Sequence, residues 1–165
     1  MYENAVLIAL GSSLGGRFGS SAAVVSAAVD QLAGAGFQIL ARSSLWRSAS
    51  WPDPTQPDYI NALVIVETPL GPAQTLARLH EIEAVFGRER GVANAPRVLD
   101  LDLIAHGRTV SGEAGLLLPH PRAAERLFVM GPLAEIAPGW RHPVSGETAA
   151  ALAAGASVGR DATPI

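Results

Sequence analysis

The order of strand-like and helix-like segments along the chain most constrains its fold. Aliphatic or alternating runs predict four β-strands, and apolar residues at helical spacing predict two α-helices. The predicted order is strand, helix, strand, strand, helix, strand, over residues 5–10, 20–34, 37–46, 59–68, 69–86 and 97–104. This order is that of an α+β, ferredoxin-like βαββαβ core. We expect the first and third strands to be central and the fourth to lie beside the first.

The remainder of the chain predicts small additions to this core. Residues 106–110 predict a turn and a short return strand of a hairpin, and residues 118–138 predict a helical patch. Residues 149–165 are rich in Ala and Gly and predict a short helix followed by a frayed tail. A length of 165 residues favours one domain over 1–165.

Composition excludes several classes of chemistry. All 12 basic residues are Arg, so a P-loop lysine, a protein-kinase lysine and a Schiff base are excluded. The absence of Cys excludes disulfides and thiolate sites, and the four His have no metal-ligand spacing that predicts zinc. A net charge of −3 argues against general nucleic-acid or anionic-membrane binding. The sequence shows no signal peptide and no apolar run of membrane-spanning length, so we expect a cytoplasmic protein. A monomer is a separate expectation.

Two aspartates stand two positions apart in the fourth predicted strand. Because side chains alternate along a strand, Asp100 and Asp102 should share one face, with Cα atoms about 6 to 7 Å apart. Their mutual repulsion calls for a raised pKa or a shared cation. Mg²⁺ is commonly held by one or two carboxylates, and such a pair can serve two ions. The alternative is a solvated strand face, which is the more frequent meaning of an isolated D-x-D.

Three arginines precede these aspartates. Arg88 and Arg90 lie in a predicted loop over 87–96, and Arg97 opens the strand. Arginine binds phosphate in a bidentate manner, so carboxylates and guanidinium groups together favour a polyphosphate site and phosphoryl transfer. The alternative is a structural network of Arg–Asp ion pairs, for which Arg97 is well placed.

A second predicted loop, over 47–57, contains three prolines and a tryptophan. Trp51 either caps a flat ligand or packs against the core. Asn61 follows this loop within the third predicted strand, where Asn is disfavoured. Its amide can offer a donor and an acceptor to a ligand, or it can satisfy the backbone of a neighbouring loop. His120 taken alone is more often a packing or capping residue than a catalytic one.

Four stretches carry specific motifs: PDYINA at 57–62, G-R-x-R at 87–90, PRVLDLDLIAHG at 96–107, and LPHPR with R-x-F at 118–128. Together they resemble the 6-hydroxymethyl-7,8-dihydropterin pyrophosphokinases of folate biosynthesis. The resemblance spans most of the chain from Leu7 to Ala137.

The resemblance implies Mg²⁺-dependent transfer of the β,γ-diphosphate of ATP to the hydroxymethyl group of a reduced pterin, with release of AMP. It implies two Mg²⁺ ions on Asp100 and Asp102 and loops over 48–57 and 87–96 that close over the substrates. The implied catalytic residues are Arg88, Arg97, Asp100 and Asp102. The implied pterin contacts are Ser48, Ala49, Trp51, Tyr59, Asn61 and Phe128. The implied nucleotide contacts are Glu83, Arg90, Arg97, His120 and Arg126.

The sequence departs from the family pattern at two places. Asn94 stands where many members have a loop aromatic, and we expect Trp51 to substitute partly for it. Leu117 and Pro121 flank His120 where polar or aromatic nucleotide contacts are also found. Two other functions use the same residues: a metal-dependent phosphohydrolase, and a non-catalytic ligand-sensing domain of the same fold.

Overall fold

The computed structural model describes residues 2–49, 55, 57–87 and 98–165. Within these ranges the strands are β1 (Val6–Ser12), β2 (Gln38–Arg42), β3 (Trp46–Ser48), β4 (Tyr59–Glu67), β5 (Asp100–His106), β6 (Ser111–Glu113), β7 (Leu116–Leu118) and β8 (Thr163–Pro164). The α-helices are α1 (Ser21–Gly34), α2 (Pro72–Val85), α3 (Leu127–Ile136) and α4 (Ala149–Gly155). The predicted α+β order of the core is confirmed. None of the helices in the described part of the chain is both long and apolar enough to cross a membrane.

The strands form one antiparallel sheet and a separate hairpin. The sheet order is β5-β1-β4-β3-β8, with β2 also paired to β4, and β6 pairs with β7 in the hairpin. The central position of β1 and β4 and the placement of β5 beside β1 are therefore confirmed. β1 is longer than predicted, since Gly11 and Ser12 continue its pairing with Asn61 and Ile60 of β4.

The predicted strand over 37–46 is wrong in one respect, because it is divided into β2 and β3. At the break, the Ser43 hydroxyl accepts the Leu63 N–H at 2.9 Å and takes the place of a backbone acceptor. The next residue turns toward α3, where the Ser44 N–H donates to Glu135 Oε2 at 2.7 Å. Side-chain hydrogen bonds thus interrupt the ladder, which periodicity alone does not reveal.

The predicted frayed tail is also corrected. α4 is the expected short helix, but the residues after it pair with the sheet as β8, with Thr163 opposite Arg47 of β3. The Ile165 N–H donates to the Leu45 carbonyl at 2.9 Å and extends this pairing.

The two faces of the sheet pack against different helices. Val25 of α1 and Leu79 of α2 cover one face, which we call the α1/α2 face, together with Val64 and Leu101 of the sheet. The opposite α3 face packs Leu7 and Leu63 against helices α3 and α4. Residues at alternate positions of β1 and β4 therefore belong to two separate cores.

Candidate active site

The aspartates lie where the strand alternation predicts. Asp100 and Asp102 are half-buried, whereas Leu99 and Leu101 are buried at 0% and 3% exposure. Asp100 pairs with Gly11 and Asp102 with Ala9 of β1. Because Ala9 belongs to the core on the α3 face, both carboxylates are on that face. The same-face prediction is confirmed.

A row of residues crosses the sheet from Asp100. Gly11 is opposite Asp100 on one side and opposite Asn61 on the other, and Asn61 is in turn opposite Trp46. With neighbouring strands about 4.8 Å apart, the backbones at Asp100 and Asn61 are about 10 Å apart. The row places the carboxylate and the strand amide on one face, separated by a glycine that has no side chain.

Asn61 has hydrogen-bonding capacity that its described neighbours do not use. Among the described residues its buried Oδ1 has no hydrogen-bond partner, and its Nδ2 donates to the Leu10 carbonyl at 3.5 Å. A Cβ on Gly11 would lie 2.8 Å from Asn61 Nδ2, so only glycine leaves room for this amide. A buried unsatisfied acceptor costs stability, and a ligand that donates a hydrogen bond to it would recover that cost.

The end of β3 lies beside this row. Ser48 is buried at 6% exposure and pairs with Tyr59 of β4, two residues from Asn61. The next residue, Ala49, is exposed, and its N–H donates to Asp161 Oδ2 at 2.7 Å. Ser48, Tyr59 and Asn61 are thus grouped at one end of the sheet.

The outer edge of β5 carries His120 and Glu83. The His120 N–H donates to the Ile104 carbonyl at 2.8 Å, and Glu83 Oε2 accepts the Leu101 N–H at 2.8 Å. Glu83 is buried at 1% exposure and reaches this edge from α2. Both residues therefore flank the strand that carries the aspartates.

His120 is held in one orientation and is neutral near pH 7. Burial lowers its pKa below the ordinary value of 6.5; Asp102 opposes this change, and Arg126 and Arg122 add to it. Its Nδ1 accepts the Arg122 N–H at 3.2 Å, which assigns the proton of the neutral ring to Nε2. The ring therefore presents a donor at Nε2.

Arg126 and Phe128 stand at the start of α3. The guanidinium carbon of Arg126 is 5.7 Å from the centroid of the Phe128 ring, which is within cation–π range. The effect of Arg126 on the His120 pKa shows that these cationic and aromatic groups lie near the same edge.

The sequence matches the family 7,8-dihydro-6-hydroxymethylpterin-pyrophosphokinase (HPPK) over residues 7–138. The chain belongs to this family. It is 44% identical over 136 residues to the 2-amino-4-hydroxy-6-hydroxymethyldihydropteridine pyrophosphokinase of Synechocystis, covering 82% of this chain and 69% of that protein. It is 43% identical over 127 residues to the protein of the same name from Methylorubrum extorquens, covering 76% and 80%. Two HPPK relatives of similar length are thus named as the pyrophosphokinase.

Other HPPK relatives are much longer than this chain. The chain matches the folic acid synthesis protein fol1 of Pneumocystis carinii at 37% identity, covering 87% of this chain and 19% of that protein. The wild-type HPPK-DHPS structure of Plasmodium falciparum superimposes with a TM-score of 0.69 at 12% identity, covering 92% of this chain and 44% of that one. A structural match at this identity supports the HPPK fold alone.

Several predicted HPPK site residues lie outside the described ranges. They are Trp51, Arg88, Arg90 and Arg97, together with Asn94 and most of the two loops expected to close over the substrates. Their roles stay predictions from the sequence.

The donor set on β5 suits the metal that HPPK chemistry implies. No group of three or more His, Cys, Asp or Glu side chains that could hold a metal occurs among residues 2–49, 55, 57–87 and 98–165. Asp100 and Asp102 are nonetheless two half-buried carboxylates on one face. One or two carboxylates are the protein ligands that Mg²⁺ usually has when water and substrate phosphates complete its octahedron. The residues present therefore fit Mg²⁺ that is bound together with a phosphate ligand.

Gly11 in the candidate HPPK site was not predicted, because the first strand was expected to end at residue 10. A glycine inside a strand signals close backbone or side-chain approach, but Gly11 lies inside a strand only in the structure, where β1 extends to Ser12. Asp161 was not predicted either, because the sequence carries no signal for it and only the fold brings it to Ala49.

Proposed function

We propose that this chain transfers the β,γ-diphosphate of ATP to the hydroxymethyl group of 6-hydroxymethyl-7,8-dihydropterin in tetrahydrofolate biosynthesis. The observation that carries the proposal is the row from Asp100 through Gly11 to Asn61. It sets a carboxylate pair and an amide with an unsatisfied oxygen on one face, about 10 Å apart by strand spacing. That separation suits a phosphate chain at one end and a flat heterocycle at the other.

The reaction requires charge neutralisation and alignment more than covalent help. The pterin hydroxyl oxygen attacks the β-phosphorus of ATP, the bond from that phosphorus to the oxygen bridging it to the α-phosphorus breaks, and AMP leaves with that oxygen. The hydroxyl proton is lost as the new oxygen–phosphorus bond forms. The chain's residues therefore have to align three phosphates and one alcohol.

Asp100 and Asp102 would hold two Mg²⁺ ions, which supply neutralisation of the phosphate charge when bound. Both lie on β5, the edge strand of the sheet next to β1, and this position supports the role. Arg88 and Arg97 are assigned to the transferring phosphates and Arg90 to the nucleotide, each from its sequence motif.

The nucleotide is assigned to the outer edge of β5. His120 can donate from Nε2, and Arg126 supplies a cation. Asp102 and Arg126 both act electrostatically on the His120 ring, so both lie near it. Glu83 holds the Leu101 amide at the same edge, so it supports the strand while flanking the nucleotide.

The pterin is assigned to the end of the row at Asn61 on β4. Asn61 Oδ1 would accept a hydrogen bond from the pterin edge and Nδ2 would donate one, because the oxygen has no partner among the described residues. Phe128 would stack on the ring, with Ser48, Ala49, Tyr59 and Trp51 around it. All of these residues belong to one chain, so the proposal requires no second copy, and a cytoplasmic monomer remains a prediction.

In the testing experiment the protein is incubated with ATP, Mg²⁺ and the pterin, and the phosphorus-containing species are followed by ³¹P NMR. We expect AMP and a pterin diphosphate to form in equal amounts, and no AMP without the pterin. Formation of ADP or AMP without pterin would instead support the phosphohydrolase. Binding of both ligands with no turnover would support the sensing domain.

A further inference from the structure

The last nine residues of the sequence, 157–165, which we call the strap, contact both halves of the proposed pterin site. They lie beyond the family match, which ends at residue 138. The strap begins beside α3, where the Ser157 and Val158 N–H groups donate to the Glu125 carbonyl at 3.1 and 2.9 Å. The Leu127 N–H donates back to the Val158 carbonyl at 2.9 Å. The start of α3 is therefore bound to the strap on both sides of Arg126.

The strap then supports the Phe128 ring. Gly159 has a φ of +68°, and a Cβ at this position would lie 2.5 Å from Phe128 Cδ1. Glycine is thus required twice here, by the left-handed backbone and by the close approach of the ring. The ring assigned to stack on the pterin rests on strap backbone.

The strap next reaches the end of β3. Asp161 Oδ2 accepts the Ala49 N–H at 2.7 Å, and Thr163 pairs with Arg47. A carboxylate that accepts a backbone N–H makes a charge-assisted bond, which is shorter and stronger than a neutral one. The strand that carries Ser48 is therefore tied to the same segment that supports Phe128.

We propose that the strap is a positioning element that holds Phe128 and the Ser48–Ala49 end of β3 at a fixed separation for the pterin. Gly159 and Asp161 are its positioning residues. The inference rests on the proposed function for the identity of the ligand. The physical basis is that a hydrogen bond between two elements restricts their relative motion before the ligand binds, which reduces the ordering cost of binding.

The first experiment compares Asp161→Ala, Asp161→Asn and the exposed-residue control Arg160→Ala. We measure the Kd of the pterin in the presence of a non-hydrolysable ATP analogue and Mg²⁺, and the Kd of the analogue alone. Asp161→Ala should weaken pterin binding about 3- to 10-fold, the scale of one lost hydrogen bond. Analogue binding should stay within about twofold. Asp161→Asn keeps an acceptor oxygen and should restore most of the pterin affinity, and Arg160→Ala should match the parent protein.

Gly159→Ala tests the other half of the strap. Its Cβ would displace the Phe128 ring, so pterin affinity should fall at least as much as in Asp161→Ala while analogue affinity is retained. Equal loss of both affinities in these variants would indicate a general loss of structure and would overturn the inference. Unchanged pterin affinity in both variants would overturn it as well.

Hydrogen exchange of the ligand-free protein separates this inference from the proposed function. In Asp161→Ala, the amides at 47–49 should exchange faster than in the parent protein, while those of α1 stay unchanged. Parent protein that binds no pterin would overturn the proposed function, and exchange would still decide whether the strap holds β3. Unchanged exchange at 47–49 would overturn the strap's role whatever the ligand is.

Discussion

The two faces of the sheet are built from the same strands but differ in what they carry. On the α1/α2 face, two 14-residue helices cover aliphatic side chains such as Val64 and Leu101. On the α3 face, α3 and α4 cover Leu7 and Leu63, while Asp100, Asp102 and Asn61 occupy the end nearest Ser12. Strand alternation thus lets β5 supply a core with its leucines and a candidate site with its aspartates.

The α1/α2 face mainly contributes stability, whereas the α3 face also carries the groups proposed for the chemistry. The buried Asn61 amide oxygen, which has no hydrogen-bond partner among the described residues, reduces the stability of the folded protein. The burial of aliphatic side chains on the opposite face offsets that cost, since each fully buried one contributes about 1.5 to 3 kcal/mol. Changes on the two faces should therefore produce opposite patterns of activity and stability.

The largest effect on activity is expected for Asp102→Asn. The variant keeps the side-chain shape but removes one charge from the proposed Mg²⁺ ligands, which stabilise the transition state by several kcal/mol. Turnover should fall about 10²- to 10⁴-fold, because each 1.36 kcal/mol is tenfold in rate. Steady-state assays measure the loss, and Asp30→Asn on the exposed surface of α1 is the charge-matched control. Near-normal turnover in Asp102→Asn would show that the carboxylate pair is not the metal site.

Leu79→Ala should show the opposite pattern. Leu79 of α2 is fully buried on the α1/α2 face, and removing such a side chain costs about 2 to 5 kcal/mol of unfolding free energy. Urea unfolding measures the loss, and turnover per folded molecule should stay within about twofold of the parent. A large fall in turnover under conditions where the variant is fully folded would show that activity also depends on the core of the α1/α2 face.

Gly11→Ala sharpens the comparison within the α3 face. The new methyl group would displace the Asn61 amide, because its carbon would lie only 2.8 Å from Asn61 Nδ2. Pterin affinity should fall about tenfold, the effect of one or two lost hydrogen bonds, whereas ATP-analogue affinity should be retained. Calorimetric titration with each ligand measures this, and Gly34→Ala in α1, where a Cβ meets nothing within 4 Å, is the matched control. Equal affinity in the two variants would remove Asn61 from the pterin site.

The smallest effect concerns pH. Burial lowers the pKa of both His120 and His142 in the folded protein, so the unfolded chain binds more protons just below pH 6.5. Stability is therefore retained above pH 6.5 and decreases as the pH falls toward the lowered pKa values. His120→Gln and His142→Gln should each reduce this pH dependence, measured by thermal unfolding at pH 5 to 8. Only His120→Gln should also weaken ATP-analogue binding; equal weakening by both would contradict the nucleotide assignment.

The core of the fold was predictable because its signals are local. Alternation in β4 and β5 and the helical spacing of Leu79, Ile82 and Phe86 each follow from sequence neighbours. The capping of α1 was equally local, since Ser20 accepts the Ala23 N–H at 3.1 Å. Long-range hydrogen bonds were not predictable. The break at Ser43 and the pairing of β8 depend on partners 20 and more than 100 residues away in the chain.

The same distinction applies to the candidate site. The Asp100–Asp102 face followed from a two-residue spacing, and Asn61 was conspicuous as a polar residue within an aliphatic strand. Gly11 and Asp161 acquire their contacts only when β1 meets β4 and when the strap meets β3. Motifs thus identified groups that would touch ligands, whereas the residues that position those groups required the fold.

Paramagnetic broadening by Mn²⁺ tests most directly whether the carboxylates and the amide belong to one site on the α3 face. Mn²⁺ replaces Mg²⁺ in a complex with a non-hydrolysable ATP analogue, and amide resonances are recorded before and after the pterin is added. We predict the strongest broadening at residues 9–11 and 100–102, and a shift of the Asn61 side-chain NH₂ resonances that requires the pterin. Broadening centred on α1 or α2, or an Asn61 resonance unaffected by the pterin, would contradict the account.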